Sequence, residues 1–228
     1  MPDSTHAIGV DIGGSGIKAA VVDVVAGKLA GERIRVATPQ PATPDAVIAA
    51  TAGLVEQLDA PRLPVGVGVP AVVLSGTVRF VANLDAAWLG VNVEEALRAQ
   101  VGRPCEVLND ADAAGLAEVR FGAGIGHSGV VLMLTLGTGI GSALFIDGVL
   151  VPNTEFGHIE VRGKDGERRA SAGARERHGW SYEKWAVRRE EYLRRIDVRP
   201  RGVAATLQNL AGIVGAAVRA AGVEPIAR

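Results

Sequence analysis

Two apolar runs, Ala7 to Val10 and Ile17 to Val25, flank a glycine-rich turn, and a third strand-like segment follows at Arg33 to Thr38. Short runs of Val, Ile and Ala bounded by glycines predict strands, so this order reads as a β-meander. After the Pro-rich link Pro39 to Pro44 the period changes: Val47, Ile48, Leu54, Val55 and Leu58 recur at helical spacing, with Asp45 as the expected N-cap and an end before Pro61. The pattern then predicts a buried strand at Pro64 to Val69, a second at Val78 to Val81, a helix near Val93 to Val101 and a strand at Cys105 to Leu108. Antiparallel strands followed by α/β crossovers imply one mixed sheet, hence an α/β fold.

Asn109 to Arg120 reads as helix, and a second β series begins at Val130 to Leu136. The turn Gly137-Thr138-Gly139-Ile140-Gly141 leads into Ser142 to Ile146, and Asp147-Gly148 leads into Val149 to Val151. The strand, glycine turn, strand design thus occurs twice, which suggests two related lobes facing a cleft. Beyond Gly163 the chain turns polar until a helix carrying Tyr182, Trp185, Tyr192, Leu193 and Ile196, a stripe expected in a core. A last helix is expected at about Leu210 to Ala221.

Composition adds limits. The 228 residues suffice for two lobes, and 48% hydrophobic with 21% charged residues is a globular balance. No apolar run nears the ~18 residues of a membrane span, and Met1 to His6 lacks the basic and apolar parts of a leader, so a cytoplasmic location is expected. Cys105, the one cysteine, excludes an intrachain disulfide, and with four scattered histidines it leaves no four-ligand zinc site. The net charge of −1 hides an asymmetry: Arg162 to Arg201 carries 13 Lys/Arg against 7 Asp/Glu. That stretch is either a solvated helix face or a track for a polyanion.

Three segments carry candidate chemistry. In Asp11-Ile12-Gly13-Gly14-Ser15-Gly16-Ile17-Lys18 the glycines let main-chain N–H groups approach a phosphate, Ser15 adds a hydroxyl donor, and Asp11 can hold a hydrated Mg²⁺. The octet lacks the Gly-Lys-Ser/Thr ending of a P-loop and precedes a strand, where a dinucleotide site needs a helix. Asn109 and Asp110 stand where a strand gives way to a helix. Asp110 there is either a general base for a hydroxyl or a helix cap, while Asp112 reads as a first-turn helix charge. Asn153 to Glu160 groups Glu155, His158 and Glu160, side chains suited to adjacent sugar hydroxyls.

Taken together, Asp11 to Lys18, Val81-Ala82-Asn83-Leu84-Asp85 with Trp88, Leu108 to Gly124, Leu134 to Ile146, Leu150 to Glu160 and Leu207 to Gly215 resemble the ROK sugar kinases of the actin-like ATPase superfamily, and within them the polyphosphate glucokinase branch. The resemblance implies a two-lobed actin-like ATPase (ribonuclease H-like) fold. Residues 1–109 with 208–228 would form one lobe and 110–207 the other. It implies transfer from inorganic polyphosphate, with ATP as a second donor, to the 6-hydroxyl of glucose, Mg²⁺ as cofactor, no zinc, and a homodimer. Asp110 would be the base; Asn83, Asn109, Glu155, His158 and Glu160 would hold the sugar. Gly13, Gly14, Ser15 and Lys18 resemble the first phosphate loop, and Thr138, Gly139 and Gly141 the second. An ATP-dependent hexokinase and a glucose-binding remnant without turnover are the alternatives. The family's repressors carry a DNA-binding helix-turn-helix ahead of the first strand, which six leading residues cannot supply, so no nucleic-acid partner is expected.

Two departures stand out. Relatives resembling this chain place an apolar strand, a triple-glycine turn and a helix after the segment matching Trp185 to Leu193; here Arg194 to Gly202 runs almost directly into the C-terminal match. The second lobe is therefore expected to be truncated: either it tolerates the loss, which should weaken adenine recognition more than binding of a polyphosphate chain, or a sheet edge is exposed and the chain folds poorly or is inactive. Ala71 stands where relatives have glycine.

Overall fold

Strand β1 (His6–Gly13) pairs antiparallel with β2 (Gly16–Asp23) in a register that runs from His6 opposite Asp23 to Gly13 opposite Gly16. The computed structural model describes residues 5–82, 84–196 and 204–222. The hairpin grows into a six-stranded mixed sheet. β3 (Lys28–Leu29) and β4 (Ile34–Val36) both pair with β2, while β5 (Val65–Val69) runs parallel to β1. The short hairpin of β6 (Val72–Leu74) and β7 (Thr77–Phe80) lies apart, and β8 (Cys105–Asn109) closes the large sheet parallel to β5.

Helices cover both faces. α1 (Pro44–Gln57) and α2 (Val93–Val101) bury Ile48, Leu54 and Leu97 with Ile8, Val10, Ile17 and Trp88 in the larger core. α1 takes Thr43 as its cap, two residues before the expected Asp45. Thr43 Oγ1 accepts from the Ala46 N–H at 3.4 Å, because Pro44 fits the first helical position, where no N–H is needed. On the opposite face α7 (Ala211–Ala220) packs Ile213, Val214 and Ala217 on Ala7, Ala20 and Val22. The backbone contact is close: a Cβ on Gly9 or Gly66 would lie within 2 Å of the Ile213 or Ala216 carbonyl oxygen.

α3 (Asp110–Phe121) joins the two halves. It packs on α7, where Gly215 meets the Ala113 carbonyl, and on the second sheet through Gly115 beside Ala143 and Phe145. Buried Glu118 ties its end to the segment before α7, accepting from the N–H groups of Ala123, Thr206 and Leu207 at 2.9, 3.0 and 2.6 Å. The second sheet contains β9 (Val130–Leu136), β10 (Ile140–Ile146) and β11 (Val149–Val151) in the order β11-β10-β9. Among the described residues β9 has β10 on one side and no strand on the other. Residues 197–203, in the expected short connection, lie outside the described set.

The rest of this half contains the hairpin of β12 (Glu160–Val161) and β13 (Lys164–Asp165), the short helices α4 (Gly166–Ala170) and α5 (Ala172–Arg177), and α6 (Tyr182–Arg195). Tyr192 is buried and its hydroxyl donates to the Phe156 carbonyl at 3.1 Å; the Trp185 indole donates to the Ala170 carbonyl at 2.8 Å. Tyr182 departs from the expected core stripe. It begins α6, which packs on α4 and β12, and its ring is exposed with the Arg175 guanidinium 4.4 Å from its centroid.

Candidate active site

The first glycine turn joins β1 to β2 and is held from the β4 side. Arg35 Nη2 donates to the Ser15 carbonyl at 2.7 Å and Thr38 Oγ1 to the Gly13 carbonyl at 2.5 Å. These bonds fix the turn through its carbonyls. Behind it, Asp11 and Lys18 are paired across the hairpin register, and Lys18 Nζ meets Asp11 Oδ2 at 3.0 Å.

The switch from β8 to α3 supplies the acid. Asn109 is the N-cap: its Oδ1 accepts from the Ala111 and Asp112 N–H groups at 2.8 and 3.0 Å, and its Nδ2 donates to the Ala71 carbonyl at 3.1 Å. Only one amide proton of Asn109 is left for a ligand. With the cap filled by Asn109, Asp110 faces the cleft. Burial is the main cause that pushes its carboxyl up to about 7; the Ala111 N–H opposes this, and the charges of Asp11 and Glu155 add to it. A carboxylate with that proton affinity is matched to general-base work near neutrality.

Asp112 is in the first turn of α3, as expected, but it is buried rather than a solvated charge. Its Oδ2 accepts from the Asn153 N–H at 2.7 Å, and burial is the leading cause raising it to about 6. Asn153, at a φ of 57°, exchanges two further bonds with Val73. It accepts from the Val73 N–H at 3.0 Å and donates to the Val73 carbonyl at 2.9 Å. A clasp therefore runs from α3 through Asn153 to the β6 hairpin, and it sets the segment that follows.

That segment brings Glu155 and His158 to the cleft. His158 Nε2 lies 3.8 Å from Glu155 Oε2, its Nδ1 lies 3.6 Å from Asp165 Oδ2, and its ring stands edge-on to Phe80 at 5.4 Å. Burial raises the Glu155 carboxyl, with His158 opposing. On the far wall the turn between β9 and β10 is held by the Gly173 N–H, which donates to the Gly137 carbonyl at 3.0 Å. Gly141 leaves no room for a side chain, since a Cβ there would lie 2.9 Å from that of Ala111. The second turn thus rests against the start of α3, beside Asp110.

These parts enclose a cavity of about 410 Å³. Of the expected residues, Gly13, Gly14, Asn109, Asp110, Thr138, Gly139, Gly141, Glu155 and His158 line it. Asp11, Ser15 and Lys18 lie at or behind the first turn and are not on the wall. Glu160 is not there either: it is exposed, beside buried Val161, and strand alternation turns the two side chains to opposite faces. Asn83 lies outside the described residues. Sequence reasoning missed Glu167, which lines the cavity and whose Oε2 accepts from the Ile140 N–H at 3.3 Å. It belongs to a charged segment with no motif of its own. Ala71 is on the wall, and its backbone accepts the Asn109 amide.

Residues 7–179 match the family model of the ROK family. This chain belongs to the ROK family. Among its ROK relatives, a polyphosphate glucokinase of Mycobacterium tuberculosis is 44% identical over 240 aligned positions, covering 93% of this chain and 90% of the relative. Those 240 positions exceed the 228 residues of this chain, so the relative carries residues that this chain lacks. The crystal structure of an inorganic polyphosphate/ATP-glucomannokinase from Arthrobacter sp. strain KM superposes with a TM-score of 0.91 at 46% identity, covering 97% of this chain and 100% of that one. A ROK glucokinase from Streptomyces griseus, in complex with glucose and AMPPNP, superposes at 0.74 with 26% identity, over 94% and 99% of the two chains. The fold is the two-lobed actin-like ATPase fold of the ROK sugar kinases. Among the described residues its second sheet has three strands, and no helix is long and apolar enough to cross a membrane.

Proposed function

We propose that this chain transfers a phosphoryl group from inorganic polyphosphate, with ATP as a second donor, to the 6-hydroxyl of glucose. The observation that carries the reading is Asp110. It is a carboxylate raised to about 7, on the floor of a cleft with a glycine turn on either side and Glu155 and His158 opposite. The relatives' names support the choice of donor and sugar.

In this reading Asp110 accepts the proton of the attacking hydroxyl, while Glu155, His158 and Glu167 orient the sugar. Asn83 and Asn109 complete the proposed sugar contacts, Asn109 mainly by holding Asp110 in place, and Glu160, exposed and off the cavity wall, is left out of the set. N–H groups of Gly13, Gly14, Thr138 and Gly139 stabilise charge on the transferred group, with Ser15 and Lys18 beside the first turn and Gly141, whose N–H donates to Thr135 Oγ1 at 3.1 Å, shaping the second. A loose transition state needs alignment and oriented donors more than covalent help. Approach of residues 1–109 with 208–228 toward residues 110–207 would exclude water, which competes for the phosphoryl group.

A hydrated Mg²⁺ fits the donor set. Asp11 offers hard carboxylate oxygens, and its charge adds to burial in raising Asp110. Among the described residues no trio of His, Cys, Asp or Glu forms a full cage. The fit is therefore to an ion that keeps most of its water, held by Asp11 and by the donor. When bound, it offsets negative charge on the phosphates.

The test is glucose 6-phosphate formation by the purified protein with Mg²⁺, with polyphosphate and ATP compared at equal phosphoryl concentration. Turnover with polyphosphate is expected. Turnover with ATP alone would make this an ATP-dependent hexokinase. Glucose binding with no turnover from either donor would make it a remnant, which the shorter second lobe favours. A cytoplasmic homodimer is the proposed working form, to be checked by light scattering.

A further inference from the structure

The basic stretch does not spend its charge evenly. Arg162, Arg169 and Arg188 gather around Glu191, the last two at 2.9 and 3.3 Å, and Arg194 pairs with Glu190 at 2.6 Å. Arg195 donates to the Glu160 carbonyl at 3.2 Å. Arg175 and Arg189 lie over the rings of Tyr182 and Trp185 at 4.4 and 4.6 Å, and Lys184 lies 5.7 Å from the Trp180 ring. Among the described lysines and arginines of the stretch, Lys164 and Arg177 alone have no ion pair, side-chain hydrogen bond or ring contact. Arg168 has only a 3.9 Å contact with Asp165.

These three cations line one hollow of about 940 Å³ that shares Thr138 and His158 with the cleft. Its two carboxylates are already engaged. Asp165 is beside Arg168 and His158, and Glu167 accepts from the Ile140 amide. Three cations against two carboxylates leave the hollow a net positive charge beside the second glycine turn, with Lys164 and Arg177 not tied to either carboxylate.

We propose that this hollow is the path of the untransferred part of a linear polyphosphate donor, with Lys164 and Arg177 pairing with successive phosphates and Arg168 recruited from Asp165. The proposal rests on the polyphosphate reading above. A chain with one negative charge per unit gains affinity from each cation it meets and releases counterions as it binds. A donor that ends near the glycine turns never reaches these residues. Their contribution must therefore grow with chain length.

The experiment measures equilibrium binding of tripolyphosphate and of chains of tens of units in the presence of glucose, together with turnover. The proteins are the wild type, a Lys164→Ala, Arg177→Ala double variant, and Arg62→Ala as a control that removes an exposed cation elsewhere. The double variant is expected to bind long chains roughly tenfold more weakly, with a shallower salt dependence. Its affinity for tripolyphosphate and glucose and its kcat with ATP should be retained, and Arg177→Lys in place of Arg177→Ala should restore part of the loss. Unchanged long-chain affinity in the folded double variant, or an equal loss for short and long donors, would overturn the path. Long-chain binding that depends on these cations but yields no glucose 6-phosphate would leave the path standing and overturn the proposed activity instead.

Discussion

β1 and β9 begin the same strand, glycine turn, strand design, and they live in different surroundings. β9 is the more apolar of the two, reading Val-Val-Leu-Met-Leu-Thr-Leu, yet none of its residues is fully buried and Val130 is 70% exposed. β1 contains a histidine, an aspartate and two glycines, yet Ala7, Ile8 and Val10 are 0% exposed. β1 has strands on both sides and helices on both faces; β9 is an edge among the described residues. Burial is conferred by neighbours rather than by the strand's own hydrophobicity. The two turns follow suit: the first is clamped by Arg35 and Thr38 from its own sheet, the second by the Gly173 amide from α5.

The largest effect is expected where the two halves meet. Asp110→Asn should lower kcat by about 10³-fold or more while leaving glucose affinity nearly unchanged, as a coupled assay and calorimetry would read. The same change should stabilise the fold. A folded-state pKa of about 7, above the usual 3.8, means that ionisation opposes folding, so Asp110's stability contribution is whole below pH 4 and is lost as pH rises to 7. At pH 8 the variant should gain on the order of 2 kcal/mol in denaturant titrations. Preserved turnover would remove Asp110 from the role of base.

The contrast between the two strands is tested by truncation at each. Ile8→Ala in β1 should cost about 3 kcal/mol, whereas Leu132→Ala in half-buried β9 should cost about 1 kcal/mol. Equal costs would show that β9 is covered in solution. The clasp joining the halves comes next. Asn153→Ala removes two side-chain bonds to Val73 and should raise KM for glucose about tenfold, with kcat changed less and KM for the donor unchanged. The smallest effect is on the pH profile. kcat/KM should rise with pH through about 7 as Asp110 ionises, and Glu155→Gln, by removing a negative neighbour, should move that limb to lower pH.

How far the chain could be read in advance varied with the range of the interaction involved. Val93–Val101, Val130–Leu136 and Val149–Val151 were legible to the residue because side-chain periodicity is local. The cap of α1 was missed by two residues, Thr43 in place of Asp45, where a proline's preference for the first helical position outweighed an aspartate's for the cap. Sequence neighbourhood favoured Glu160, grouped with Glu155 and His158, over Glu167 in its charged segment, and the elements that carry them reverse the order. One is exposed on a two-residue strand; the other is in the first turn of α4 and accepts from the Ile140 N–H on the cavity wall. Tyr182 and Tyr192 share a stripe on α6, and its packing partners bury only the second.

The sequence by itself determined what depends on a few consecutive residues: two strand-turn-strand units, an acid where a strand becomes a helix, a Glu/His cluster, and a basic stretch near the C-terminal end. Backbone hydrogen bonding and side-chain period encode such features locally. Tertiary structure decided that Asn109 takes the cap and frees Asp110, that Asp112 is a buried tether, and that Lys164 and Arg177 stay unpaired while their neighbours do not. Proton affinity, burial and charge compensation are set by groups brought together from distant parts of the chain, and no stretch of sequence contains them.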